Sequence, residues 1–301
     1  ELYRVNFNNI DISTYKSIKT KINLDVVDIE NKENRNIQRK AFVGIALAFF
    51  IYGFIFLYSV QVMRGVIEEK TNRIVEVIIS SVSTFELMMA KIIGIGLVGI
   101  TQFIIWAIVT MIMSVTIFPL MIKDKYNPSL HMNSDDIVNN SFKIDPNNEA
   151  IQFIINEVQW SYLILFFILF FLGGYLLYSG LMAAIGAAVD EEADTQQFLL
   201  PLTVPMVFSI LMASKVIDDP SSSLAFWLSE IPFTSPIIMI VRIAMGIGDS
   251  SVEIWEIILS LFLLTITFIG TTWLSGKIYR KGILSYGKKA SYSDLFKWLK
   301  N

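Results

Sequence analysis

Apolar and polar positions along this chain fall into long alternating blocks. Five stretches contain no Asp, Glu, Lys or Arg: Ala41 to Gln61, Ile92 to Ile122, Val158 to Val189, Thr195 to Ser214 and Ile257 to Gly276. A helix that crosses a bilayer needs about 20 apolar residues at 1.5 Å rise each. Every stretch reaches that length, and the longer second and third allow tilt or an interfacial end. Lipid offers no partner to a free backbone N–H or C=O, so each is predicted to be helical. The pattern predicts an all-α integral membrane protein with five transmembrane helices.

A sixth apolar stretch, Leu224 to Met245, is of another kind, because it contains Glu230, Pro232, Pro236 and Arg242. Proline interrupts helices, and charge at bilayer depth is unfavourable. The stretch reads as a re-entrant or interfacial helix pair, with a poor sixth span as the alternative. Broken helix at depth is tolerated only where protein buries it or where it lines a cavity. Pro232, Thr234, Ser235, Pro236 and Arg242 are therefore candidates for a gate at an outer exit, or for a static plug. Pro201 and Pro205 fall inside the fourth span and predict a kink. Gly94, Gly96, Gly99, Gly173, Gly174, Gly180 and Gly186 let spans approach closely.

Between the first two spans, Gly65 to Ser83 reads GVIEEKTNRIVEVIISSVS. At about 100° per residue, Ile67, Ile74, Ile78 and Val82 share one face, and Glu68, Glu69, Asn72 and Glu76 the opposite one. Lys70 and Arg73 lie between, with Lys70 toward the apolar side. An amphipathic helix over 66–80 is predicted, lying on the membrane surface. Its polar residues Glu68, Glu69, Lys70, Thr71, Asn72, Arg73 and Glu76 suit a soluble partner, since paired charges give register and specificity. A solvated interfacial helix without a partner fits the pattern equally. Asp190, Glu191, Glu192, Asp194, Gln196 and Gln197 make an acidic turn between the third and fourth spans, on the same side of the membrane. Such a turn can meet a basic surface or a cation; a solvated helix end is the plainer reading.

Composition narrows the function. Of 301 residues, 54% are hydrophobic and 17% charged, with a mean hydropathy of +0.57. Soluble domains carry about a quarter charged residues, so a disordered chain is excluded and an ordinary soluble globule is disfavoured. No Cys is present, which excludes disulfides, thiolate metal sites and a Cys nucleophile. A single His, His131 in a polar loop, excludes any site of two imidazoles. A net charge of −3 gives no reason to expect a nucleic acid partner.

Three motif readings fail. Gly94 to Gly99 matches G-x-G-x-x-G but sits inside a charge-free span, so it reads as helix packing. Glu68, Glu69 and Arg73 match the E-E-x-x-x-R of intramembrane glutamate proteases, which also need His residues that this chain lacks. No G-x-x-x-x-G-K-[ST] occurs, so the chain does not use ATP by the P-loop route. The five spans hold no Asp, Glu or Lys, so any transport is powered from elsewhere. A non-transporting scaffold that docks a cytoplasmic partner also fits these features. Lys and Arg counts outside the spans come to thirteen on one side and eleven on the other, which does not orient the chain. The basic tail 277–301 favours the cytoplasm. The loops 123–157 and 215–256, acidic and rich in Asn, Ser and Pro, favour the opposite side.

Residues 65–106, GVIEEKTNRIVEVIISSVSTFELMMAKIIGIGLVGITQFIIW, resemble the matching region of ABC exporter permeases of type-2 architecture, and within them the NatB-like sodium-extrusion subgroup. GAAVDEEADTQQFLLPLTVP (186–205) and IPFTSPIIMIVRIAMG (231–246) resemble the same family in the same order, and the likeness covers about residues 37–285. It implies a six-span permease whose first span precedes a large extracytoplasmic domain. Residues 1–36 would end that domain, 37–285 would be the permease domain, and 286–301 a basic cytoplasmic tail. The chain opens at Glu1 without an initiator Met, and the first span is expected upstream.

The resemblance makes helix 66–80 a coupling helix that docks on a separate ABC ATPase. It makes turn 190–197 a second cytoplasmic contact and segment 224–246 a re-entrant pair. The chain would be a non-catalytic subunit of the cell membrane without a cofactor of its own. ATP and Mg would sit on the ATPase. A second permease copy and membrane lipid would be the other partners. The unit would move substrate out of the cytoplasm, Na⁺ being the substrate the subgroup implies. A Na⁺ path wants carbonyl and carboxylate oxygens, while the spans offer Thr101, Gln102, Thr110 and Thr116. A lipid, peptide or drug-like substrate fits equally.

Overall fold

The computed structural model describes residues 29–78, 81–123, 159–248, 251–285 and 291–300. Most of the expected extracytoplasmic segment 1–36, and loop 123–157 with His131 beyond Lys123, lie outside the described residues, as do the side chains of Thr110 and Thr116. The chain divides into two compact units, Glu1–Asn36 and Ile37–Asn301. Among the described residues the structure is helical, with no β-strand beyond the single bridge Ile247–Val252.

The helices are α1 (Ile29–Thr71), α2 (Ile74–Ile78), α3 (Thr84–Lys123), α4 (Trp160–Ala188), α5 (Gln196–Asp218), α6 (Ser223–Glu230), α7 (Ser235–Met245), α8 (Ile254–Gly282) and α9 (Tyr292–Lys300). Among the described residues, five are long and apolar enough to cross a membrane: Asn36–Thr71, Thr84–Ile105, Trp160–Ala188, Glu192–Asp218 and Ile254–Gly282. Each overlaps one of the five charge-free stretches, the second covering 84–105 where the stretch covers 92–122. Their outer faces carry exposed Phe49, Leu97, Ile104, Phe262 and Ile269, as lipid contact requires. The protein is a multi-pass membrane protein.

Local chemistry sets the helix ends. Ser83 and Glu86 form a capping box at the start of α3: Ser83 Oγ accepts from Glu86 N at 3.3 Å, and Glu86 Oε2 accepts from Ser83 N at 3.1 Å. Ser222 caps α6 by accepting from Ala225 N at 3.2 Å. Gly246, at φ 141°, ends α7 in a conformation that L side chains avoid. Helix α5 runs unbroken through Pro201 and Pro205.

The boundaries near residue 70 differ from the expectation of one surface helix over 66–80. Helix α1 carries the first span on to Thr71 without a Pro to stop it, and breaks at Asn72–Arg73, where Arg73 has φ 55°. Helix α2 is one short turn beyond that break. The first half of the expected surface helix is thus the end of a span.

The core forms around α7, all of whose residues are buried. It packs on α4, α5, α6 and α8. Gly174 makes room for it: a Cβ there would meet Ile55 Cδ1 at 2.7 Å and Pro236 Cγ at 2.9 Å. At the other end of α7, Ala244 faces Gly44 of α1.

Candidate functional site

Two polar constellations stand out, at opposite ends of the 44–63 stretch of α1. Gly44 lies against Val241 and Ala244, while Met63 O lies against Gly186. Those 20 residues of helix span about 30 Å, the thickness of the hydrocarbon core.

The first constellation ties α1, α3 and the α4–α5 turn together beside residues 64–71. Lys70 is 1% exposed. Its Nζ donates to Ala187 O at 2.9 Å and Val189 O at 3.1 Å, and pairs with Asp190 Oδ1 at 2.8 Å. The last carbonyls of a helix lack intrahelical partners and carry its negative dipole end, so an ammonium there is doubly favourable. Thr71 Oγ1 adds a bond to Asp190 O at 3.4 Å. Gly186 permits this approach, since a Cβ there would sit 2.6 Å from Met63 O. Lys91 of α3 donates to Gly65 O at 2.7 Å and pairs with Glu69 at 2.6 Å. Arg64 pairs with Glu192 at 2.7 Å, but both are more than half exposed, so that pair contributes at most about 1 kcal/mol.

Helix α9 closes the same end. Pro201 has no N–H for the carbonyl four residues earlier, which is Gln197 O. Tyr292 of α9 donates its hydroxyl to that carbonyl at 2.5 Å, and its ring meets Phe198 edge-on with centroids 4.9 Å apart. Leu295 and Trp298 pack on the apolar cluster of Met63, Ile67, Met182 and Ile185.

The residues singled out from the sequence therefore divide. Glu68, Thr71, Asn72, Arg73 and Glu76 are exposed, as are Glu191, Glu192, Gln196 and Gln197. Glu69 is half-buried against Lys91, and Asp194 is half-buried. Lys70, expected between the two faces and among the partner-contacting residues, is turned into the fold, because Asp190 and two helix-end carbonyls await it there. Asp190 is correspondingly committed to an internal pair. Among the described residues, no group of three or more His, Asp or Glu is arranged to hold a metal ion. Thr101 Oγ1 bonds Leu97 O, and Gln102 Oε1 accepts from Tyr58, so these polar groups are engaged within the bundle.

The second constellation holds the α6–α7 pair. Arg242 is 1% exposed. Its Nε donates to Pro220 O at 2.9 Å, Nη1 to Ser229 Oγ at 2.7 Å, and Nη2 to Ser251 O at 2.9 Å. Nη1 also pairs with Glu256 at 2.6 Å. Thr234 Oγ1 donates to Leu228 O at 2.5 Å, and Tyr178 donates to Phe233 O at 2.7 Å, which fixes the turn between the helices. Pro232 is half-buried in that turn, while Ser235 and Pro236 are buried at the start of α7. Glu230, which ends α6, is 4% exposed, and neither carboxylate oxygen has a hydrogen-bond partner. Burial pushes its carboxyl up to about 7, with the Glu256 charge adding to the rise and Arg242 opposing it.

Sequence reading missed Arg64, Lys91, Glu230 and Glu256 as site members. Glu230 carried a usable signal, a charge inside an apolar stretch. Lys91 carried none, since it stood at the edge of a charge-free run.

Residues 4–277 match the family model described as ABC-2 family transporter protein, and the chain belongs to that family. It is 27% identical over 249 residues to "Uncharacterized protein YhaP" of Bacillus subtilis (strain 168), covering 83% of this chain and 53% of that protein. It is 24% identical over 292 residues to "Uncharacterized protein MJ1024" of Methanocaldococcus jannaschii, covering 96% of this chain and 61% of that protein. The chain thus spans a little over half the length of these relatives. No solved structure matches it.

Proposed function

We propose that this ABC-2 family chain is the permease part of an ATP-binding-cassette exporter. A separate ATPase docks where α1 ends, and a second permease copy completes the pathway. That end of the bundle and the tail are cytoplasmic, and the membrane is the cell membrane. The observation that carries this reading is the linked set Lys70–Asp190 and Lys91–Glu69. It joins the end of α1 to α3 and to the α4–α5 turn, so a push on the 68–76 region passes directly to three spans. Such rigid coupling is what a lever needs to convert ATPase closure into span rearrangement.

On this reading the contact residues are Glu68, Thr71, Asn72, Arg73 and Glu76, with Glu191, Glu192, Gln196 and Gln197 as the second contact. Glu69, Lys70 and Asp190 hold the lever rather than touch the ATPase. The α6–α7 pair is re-entrant from the opposite face. Its turn lies near Tyr178, and Pro236 near Gly174 and Ile55, midway along α1. Na⁺ is the first substrate to test.

The test is ATP-driven flux in proteoliposomes holding the full-length protein and its ATPase. Arg73→Glu combined with Glu76→Lys is expected to abolish flux while the protein still folds, as a cooperative thermal transition reports. Undiminished flux in that variant would remove the docking assignment. Flux of another solute with no Na⁺ movement would replace the substrate and keep the permease.

A further inference from the structure

Glu230 is a carboxylate without a counterpart. Both oxygens are buried and unpartnered. Hydroxyls of adjoining residues are engaged by backbone carbonyls: Ser229 Oγ donates to Phe226 O, Thr234 Oγ1 to Leu228 O, and Ser260 Oγ to Ser229 O. Glu230 also ends α6, where the helix dipole is negative.

The charged groups on each neighbouring element give it no salt bridge. Arg242 of α7 directs its bonds to Pro220, Ser229, Ser251 and Glu256. Glu256 of α8 adds a like charge, and Glu253 at the start of α8 is exposed, accepting from Trp255 Nε1. On α5, Lys215 and Asp218 are exposed and pair with each other at 3.5 Å. One guanidinium therefore faces two carboxylates and bonds one of them. An ionised carboxylate buried without partners is strongly unfavourable, and protonation relieves it. A proton needs one oxygen, whereas a hard metal ion takes about six.

We propose that Glu230 is a proton-binding site: it is a neutral acid while α6 and α7 pack as seen here, and it releases its proton when the pair loosens. Hairpin packing is thereby linked to pH. This inference does not depend on the ATPase reading, since it concerns packing within the chain.

The test uses the full-length protein in lipid nanodiscs. In infrared difference spectra, wild type should show the C=O band of a protonated carboxyl that disappears as pH rises through about 7. Glu230→Gln should lack that band at every pH. Glu256→Gln keeps an acceptor for Arg242 and removes the like charge, so the loss should move to lower pH.

Thermal unfolding gives a second reading. A carboxyl that holds its proton more tightly folded than unfolded makes stability fall as pH rises from the ordinary Glu value of about 4.3 toward about 7, and level off above. Glu230→Gln should lose that fall. Superimposable profiles for wild type and Glu230→Gln would overturn the proposal. So would a transition that moves with Na⁺ or K⁺ concentration at fixed pH, which would make the occupant a metal cation.

Discussion

Lys70→Met tests the joint between α1 and the α4–α5 turn while keeping the length of the buried stem. Removing one partner of a buried ion pair costs about 3–5 kcal/mol. Asp190 is 32% exposed, so water takes up part of its freed charge and the lower end applies to the pair. The carbonyls of Ala187 and Val189 each lose a donor, at about 1 kcal/mol apiece. Hydrophobic packing of the Met stem offsets some of this, leaving an expected loss of about 2–4 kcal/mol. Equilibrium unfolding in mixed micelles measures it. A double-mutant cycle with Asp190→Asn should give a coupling of about 1–3 kcal/mol. A Lys70→Met protein within about 0.5 kcal/mol of wild type, the range of an ordinary surface change, would refute the argument.

The same unfolding assay checks three more expectations. Gly186→Ala places a Cβ 2.6 Å from backbone Met63 O, which side-chain motion cannot relieve, so a loss of about 1–3 kcal/mol is expected. Arg242→Lys keeps the charge but cannot reproduce four contacts from one planar fork, and should cost about 2–4 kcal/mol; a neutral outcome would mean that charge alone holds α7. Tyr292→Phe keeps the ring against Phe198 and removes the donor to Gln197 O, so about 1 kcal/mol should be lost. In a Pro201→Ala background, where the helix regains its own donor, that loss should shrink.

The spans were legible because a bilayer imposes one length and one composition, and no tertiary contact is needed to read either. The α6–α7 break was legible from Pro232 and Pro236 for the same local reason. Lys70 was not. An amphipathic wheel places it between two faces, and only the register of α1 against α4, set by Gly186, decides that it points inward to a partner 120 residues away in sequence. Lys91 is the reverse case. It looked like the charge that ends a span, yet it lies inside α3, because Gly65 O and Glu69 receive it. Pro201 predicts a kink from sequence alone; that its missing N–H also frees a carbonyl for Tyr292 is a pairing across 95 residues that no local pattern encodes.

The central claim is that the end of α1 receives an ATPase. Purification of the full-length protein from its native host through a C-terminal tag, with identification of what accompanies it, tests this most directly. A stoichiometric P-loop ATPase is expected, lost from the Arg73→Glu, Glu76→Lys protein and retained by Glu230→Gln. Recovery of folded protein without any ATPase, repeated under crosslinking, would contradict it.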